Sequence, residues 1–169
     1  MSAVARPRVA LRPIERADDA AMRSWLASAY AAVDGERPAN QPELGLRDFG
    51  AAISRRWPEA HCFAVMSEGD PIGFLIARSG AGAEQPETAI LALAIRADRR
   101  NLGYGGEAVM VLEEARPGDR FAAAIPRANG LAVYFWLRIG YRPVTVDEDA
   151  LRAGDPDHLW MVRADHCPD

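Results

Sequence analysis

The sequence of 169 residues contains no lysine, so all 20 of its basic side chains are arginine. A GC-rich coding bias accounts for that absence, and no mechanism attaches to it. Cysteine is scarce too: Cys62 and Cys167 are too few to staple a domain of this size. That scarcity fits a reducing compartment, and a cytoplasmic location is the expectation. Neither His61-Cys62 nor His166-Cys167 has a recognised ligand spacing, so no metal is expected. Long apolar runs are missing as well. The stretch from Ala89 to Ile95 is far too short to cross a bilayer, and "MSAVARPRVALRPIERADD" has no apolar h-region. Neither membrane insertion nor export is expected. An excess of positive charge is likewise lacking, because the formal net charge is -4. A protein that coats nucleic acid needs many cations to displace counterions, so no nucleic-acid partner is expected. A small anion held at a local cluster of arginines stays compatible with that charge.

What is present reads as one domain spanning residues 1–169, with a core from about residue 8 to 164 and a loosely packed tail over 165–169. No internal repeat or low-complexity linker divides it. "RVALRPIE" alternates apolar and polar from Val9 to Ile14 and predicts a first strand. Asp18 reads as the N-cap of a helix whose apolar positions are Met22, Trp25, Leu26, Ala29 and Val33. A turn-rich passage leads to a second helix from Leu46 to Trp57, ended by Pro58. "HCFAVMS" and "IGFLIAR" flank the turn signature "EGDP" and predict a hairpin. "TAILALAI" lacks alternation, which predicts a strand covered on both faces. After a run of glycines, Ala108, Val109, Leu112 and Ala115 mark a helix that stops before Pro117. "RFAAAI" is a further strand, "NGLAVYFWLRIG" a helix from Asn129 to Gly140, and "YRPVTV" and "HLWMVRA" two last strands. The order is β-α-α-β-β-β-α-β-α-β-β. It predicts an α/β (α+β) fold, a mixed, mostly antiparallel sheet of six to seven strands with helices on both faces.

The glycines carry the chemistry. In "RRNLGYGGEA", Gly103, Gly105 and Gly106 lie between a buried strand and a helix start. There the unpaired N–H groups of the first turn converge and the helix dipole favours negative charge. Glycine lets that backbone approach a phosphate without a Cβ in the way. Arg96, Arg99 and Arg100 add local positive charge. A phosphate compound is the predicted ligand. Without a lysine after the glycines this is no Walker A loop, and G-x-G-G lacks the spacing and the later acidic residue of a dinucleotide fold.

"RNLGYG", Arg100 to Gly105, resembles the R/Q-x-x-G-x-G/A signature of the GNAT N-acetyltransferase superfamily. A second block, "NGLAVYFWLRIGY", is similar to that family's later pattern at Asn129, Ala132, Trp136, Gly140 and Tyr141. The element order from Val9 to Arg163 is the family's order too. The resemblance implies acetyl-CoA as acyl donor and an amine as acceptor. Leu93, Ala94 and Ile95 would offer backbone groups to the pantetheine arm at a β-bulge. Arg100, Asn101, Leu102, Gly103, Tyr104, Gly105 and Gly106 would cradle the pyrophosphate. Asn129 and Trp136 would lie on the opposite wall, with the fourth and fifth strands splayed around the acetyl group. Asn129 is equally an ordinary N-cap, and both readings are kept.

Acyl transfer to an amine needs a deprotonated amine near the thioester carbonyl, a donor for the oxyanion and a proton for the thiolate. Backbone N–H groups near Ala94 and Ile95 would supply the second. The resemblance puts a carboxylate base at the position of Ala89. Glu87, two residues earlier and about 7 Å away along the strand, is the substitute, acting through a water. A solvated strand-start glutamate is its plainer reading. The family's tyrosine acid falls on Trp136, whose indole N–H does not serve as a proton source. Tyr134, about 200° around the helix, and Tyr141, otherwise a core aromatic, are the remaining candidates. Positioning alone can carry much of the rate, so a dedicated base is optional.

The resemblance places acceptor choice in the region from Trp25 to Trp57 and the last hairpin. Asp34, Glu36, Glu43 and Asp48, with Asp147-Glu148-Asp149, make those segments acidic and fit a cationic amine, although a solvated acidic surface explains the same residues. The predicted activity is an acetyl-CoA-dependent N-acetyltransferase acting on a primary amine of a small molecule, peptide or protein. The alternative is a catalytically silent acyl-CoA-binding module. Exposed sheet edges suggest a homodimer.

Overall fold

The computed structural model of the protein describes residues 8–34, 44–81, 86–144 and 158–164. The expectations placed on Glu36, Glu43, Asp147, Glu148, Asp149, His166, Cys167 and the 165–169 tail lie outside the described residues, as does the Asp34 side chain. The chain opens with a short strand β1 (Ala10–Pro13), whose alternation was expected to run from Val9 to Ile14. Glu15 then starts a tight 3-10 turn, Arg16–Asp18. Helix α1 (Asp19–Asp34) follows without Asp18 as its cap. The two terminal nitrogens of the Arg12 guanidinium donate to the Asp18 carboxylate at 2.8 and 2.6 Å, and the Glu15 N–H donates to it at 2.8 Å. Those contacts hold its pKa below the usual carboxylate range, Arg12 first. Held toward Arg12 and Glu15, the Asp18 carboxylate makes no cap to α1. The neighbouring Asp19 takes up a connecting role instead, accepting from the Leu46 N–H at 2.8 Å where the second helix begins.

That helix, α2, runs Leu46–Arg56. It was expected to include Trp57, but the residue before a proline is pushed out of helical conformation, and Trp57 has φ -130° and ψ 83°. Strands β2 (His61–Ser67) and β3 (Asp70–Ala81) form the expected hairpin. Its turn is Glu68-Gly69, both with positive φ, which matches the twist of a two-residue hairpin loop. Then come β4 (Pro86–Ile95), α3 (Tyr104–Glu114), β5 (Arg120–Pro126), α4 (Gly130–Arg138), β6 (Tyr141–Pro143) and β7 (His158–Arg163).

Among the described residues the strands form one sheet in the order β1-β2-β3-β4-β5-β7-β6. Every neighbouring pair is antiparallel except β4 and β5. On one face Met22, Trp25 and Leu26 of α1 and Phe49 and Ile53 of α2 pack on Phe74, Ile76 and Leu91. On the other, Ala108, Val109 and Leu112 of α3 and Trp136 of α4 pack on Val65, Leu75 and Ile90. Residues of β4 enter both cores, as its uninterrupted apolar run requires.

Candidate functional site

The site begins with a fault in β4. Ala77 of β3 pairs with Ile90 and Ile76 pairs with Ala92, which leaves Leu91 as an extra residue in a β-bulge. The parallel ladder to β5 covers only Glu87–Ile90 against Arg120–Ala123 and ends at the same level. Beyond it β5 continues beside β7 through Ala124, Ile125 and Pro126, while Leu91–Ile95 stay with β3. The two central strands therefore part, and backbone of Leu93, Ala94 and Ile95 lies along one side of the opening.

Three contacts fix how the chain leaves β4. A Cβ on Gly73 would collide with the Ala94 carbonyl oxygen and lie 2.8 Å from Ile95 Cδ1, so β3 approaches this end of β4 through a glycine. The Arg96 N–H donates to the Ile72 carbonyl at 2.7 Å, and Arg100 Nε donates to the Ile95 carbonyl at 2.8 Å. After a turn at Ala97–Arg99, Asn101 (φ 61°) and Gly103 (φ 89°) bend the backbone into α3. The N–H groups of Tyr104, Gly105 and Gly106 fall in the first turn of that helix, where no intrahelical acceptor exists, and the Glu107 N–H is the first to find one, the Gly103 carbonyl at 3.1 Å. The arrangement presents amides and the positive end of a helix dipole at the rim of the opening between β4 and β5.

The three glycines of this turn differ in why they are glycine. Gly103 occupies the left-handed region. A Cβ on Gly105 would lie 3.3 Å from the Phe135 ring and 3.7 Å from Leu93, and one on Gly106 would lie 3.4 Å from Ile139. These two glycines sit where α3 lies against α4, a packing reason that adds to any approach of a phosphate. The arginine cluster is also less positive than its sequence suggested. Arg96 Nε donates to Asp98 at 2.6 Å, and Arg99 Nε lies 3.9 Å from the same carboxylate.

A residue that sequence reasoning missed stands beside the turn. Arg8 donates from Nη2 to the Leu102 carbonyl at 2.8 Å, forms an ion pair with Glu107 and lies over the Tyr104 ring at 4.7 Å. No local pattern signals it, because its partners are more than ninety residues away in the chain.

Asn129 caps α4, its side-chain oxygen accepting from the Ala132 N–H at 3.1 Å. Trp136 is buried in the core, edge-on to Phe135 at 5.3 Å and to Tyr141 at 4.8 Å. Tyr134 is 65% exposed on the outer side of the same helix. Tyr141 is fully buried and donates from its hydroxyl to Glu113 at 2.8 Å. Burial, and then the Glu113 charge, push its phenol far above the ordinary range. Glu87 is not solvated, as its place at a strand start suggested. It is 1% exposed, its carboxylate lies 3.9 Å from Arg120 Nη1, and it sits at the closed end of the β4–β5 ladder. Leu91 lies four positions farther on, about 13 Å along a strand. Glu87, Tyr134 and Tyr141 thus occupy three different places and are not brought together. On the opposite face of the sheet, Trp160 of β7 is buried beside the parting strands, its backbone paired with Ala124 and its indole in the same core cluster as Ala92 and Ala94. Its N–H has no hydrogen-bond partner among the described residues.

Among the described residues no group of three or more His, Cys, Asp or Glu side chains is placed to hold a metal ion. No described helix is long and apolar enough to cross a membrane.

A sequence profile of the acetyltransferase (GNAT) family matches residues 20–141. No curated protein sequence gives a significant match. The fold is similar to that of an acetyltransferase from Thermus thermophilus, with a TM-score of 0.68 and 24% identity over 92% of this chain and 96% of that one. It is also similar to a ribosomal-protein-alanine N-acetyltransferase from Brucella melitensis biovar Abortus 2308, with a TM-score of 0.61 and 18% identity over 82% and 96% of the two chains. A third similar structure is the PaiA N-acetyltransferase of Thermoplasma acidophilum in complex with coenzyme A, at a TM-score of 0.57 and 12% identity over 92% and 98%.

Proposed function

The chain belongs to the acetyltransferase (GNAT) family, and from that membership we propose that it transfers an acetyl group from acetyl-CoA to a primary amine. The transfer is direct, with donor and acceptor bound together. The observation that carries this reading is the coincidence of two features. The bulge at Leu91 and the end of the β4–β5 ladder open a gap between the central strands, and the amide-lined start of α3 stands at its rim. A thioester with a long amide-bearing arm and a diphosphate fits such a gap. Leu93, Ala94 and Ile95 would hydrogen-bond the arm as a strand does. The turn from Arg100 through Asn101, Leu102, Gly103, Tyr104 and Gly105 to Gly106 would receive the diphosphate, and Asn129 would face the arm from α4, with Trp136 supporting that wall from the core.

In this reading the protein works mainly by positioning. The amine is held against the thioester carbonyl, a free N–H on β4 stabilises the oxyanion, and the electron pair of the breaking C–S bond leaves on the CoA sulfur. The proton lost by the amine passes through water to that thiolate. Of the side chains considered for acid and base roles, Glu87 would act through a water chain, and the exposed Tyr134 is better placed to meet a ligand than Tyr141, whose hydroxyl is already donated to Glu113. The acceptor is an amine of a small molecule, peptide or protein. The exposed Asp48 on α2 supports a cationic one. Cytoplasmic residence and a homodimer are part of the same proposal, the dimer being checked by sedimentation velocity.

Titration calorimetry with acetyl-CoA tests the donor half. Gly103→Asp and Arg100→Glu are expected to weaken binding at least tenfold, by strain and negative charge at the turn. Unchanged affinity in folded variants would overturn the placement. Thiol release across aliphatic, aromatic and peptide amines tests the activity. A second reading, a silent acyl-CoA-binding module, draws on the separation of Glu87, Tyr134 and Tyr141. Tight acetyl-CoA binding with no thiol release on any amine class would favour it.

A further inference from the structure

The turn proposed to receive a diphosphate carries a carboxylate of its own. Glu107 lies in the first turn of α3, at the end of the helix where an incoming anion would bind. Left to itself, that carboxylate would occupy the same favourable potential and repel the ligand. Arg8 removes the conflict. Its Nε donates to Glu107 Oε1 at 2.7 Å, its backbone N–H donates to Oε2 at 3.0 Å, and Nη2 pairs with Oε1 as well. Both carboxylate oxygens are therefore engaged by one residue. The same guanidinium donates to the Leu102 carbonyl at 2.8 Å, occupying a backbone acceptor of the turn, and it lies on the Tyr104 ring. A lysine could not make this set of contacts, because it lacks the planar fork that spans two acceptors. Arg8 is largely exposed, so burial of apolar surface does not explain its place.

We infer that Arg8 is a positioning residue for the donor's diphosphate, acting by neutralising Glu107 at the mouth of the α3 turn. The inference rests on the reading of that turn as the diphosphate site. It assigns a role in cofactor affinity to a residue ahead of the first strand, joined to the site by tertiary contact alone. An N-terminal segment that loses this contact would leave the sheet intact and the phosphate turn acidic.

A double-mutant cycle separates screening from other roles. Acetyl-CoA affinity is measured by calorimetry for the full chain, Arg8→Gln, Glu107→Gln and the double variant, with melting temperatures to establish folding. Arg8→Gln is expected to weaken binding about fivefold to tenfold, the effect of one unscreened charge near a helix start. In the Glu107→Gln background the same substitution is expected to cost less than about twofold. A purely structural Arg8, or one that touches the phosphate directly, would cost as much in both backgrounds, and that result would overturn the inference. So would unchanged affinity in Arg8→Gln. If the unaltered chain binds no acetyl-CoA, the diphosphate reading of the turn fails first and the role of Arg8 falls with it.

Discussion

A methyl group added to Gly73 has nowhere to go: it meets the Ala94 carbonyl oxygen and lies 2.8 Å from Ile95 Cδ1. The colliding atoms belong to β4, the nearest of them to its backbone, so relief requires the two strands to separate. Gly73→Ala is expected to destabilise the fold by about 1–3 kcal/mol, the range for overpacking, as read from urea unfolding. An unchanged midpoint would mean that β3 gives way without cost. Glycines whose added Cβ meets only side chains, such as Gly106 against Ile139, should tolerate alanine better. Residues of this kind mark where sequence reading succeeds and stops. The spacing of Gly103, Gly105 and Gly106 located the turn, because a helix start rich in glycine is a local pattern. It did not tell a left-handed residue from two packing residues, since that depends on Phe135 and Ile139, whose positions relative to α3 follow from the fold. Gly73 and Arg8 carried no signal for the same reason. Glu87 was misjudged as solvated because a charged residue at a strand start is ordinarily exposed, and here the sheet closes over it beside Arg120.

Elements were more legible than residues, and their ends less so than their order. Among the described residues seven strands and four α-helices stand in the order read from hydrophobic periodicity. The ends moved where tertiary contacts competed with local ones: Asp18 went to Arg12 in place of α1, and Pro58 removed Trp57 from α2. Joints between elements were not readable at all. One such joint ties α3 to the last strands, with Tyr141 at the start of β6 donating to Glu113 of α3 and Arg163 of β7 lying 3.7 Å from the same carboxylate. Because the Tyr141 phenol is raised by burial and by Glu113, the folded state keeps its proton at a pH where the unfolded chain has lost it. The contribution to stability is complete below the unfolded value of about 10 and is lost progressively as pH rises above it. Urea midpoints measured from about pH 8 to about pH 11 are expected to fall steeply at the alkaline end. Tyr141→Phe should lower the unfolding free energy near neutrality by roughly 1–3 kcal/mol, because Glu113 loses its phenol donor and keeps Arg163, and flatten that fall. An alkaline limb as steep in the phenylalanine variant would assign the loss to other groups.

At the scale of the whole molecule the sheet is two half-sheets joined by one short parallel ladder, β1 to β4 on one side and β5 to β7 on the other. The mixed fold and its two covered faces were foreseeable from strand and helix order, which local patterns encode. The gap was expected only by resemblance, because Leu91 stands in a uniform apolar run and its bulge exists only in register with Ile76 and Ala77. If acetyl-CoA lies in the gap as proposed, its addition should slow hydrogen exchange in 91–95 and 101–106 while leaving the β1–β2 pair unaffected. Equal protection everywhere would point to general stiffening, and none at 91–95 would place the ligand elsewhere. The gap also gives β4 an unusual status: beyond Ile90 it is an open edge in the middle of a sheet. Open edges ordinarily recruit strands from other chains, and they are guarded by charge, proline or brevity. Here the guard is geometric, since a foreign sheet cannot wedge between two strands that remain joined at their base, whereas a single slender chain can. If the gap holds the donor as proposed, the backbone alone would select for a thin, linear guest before any side chain takes part.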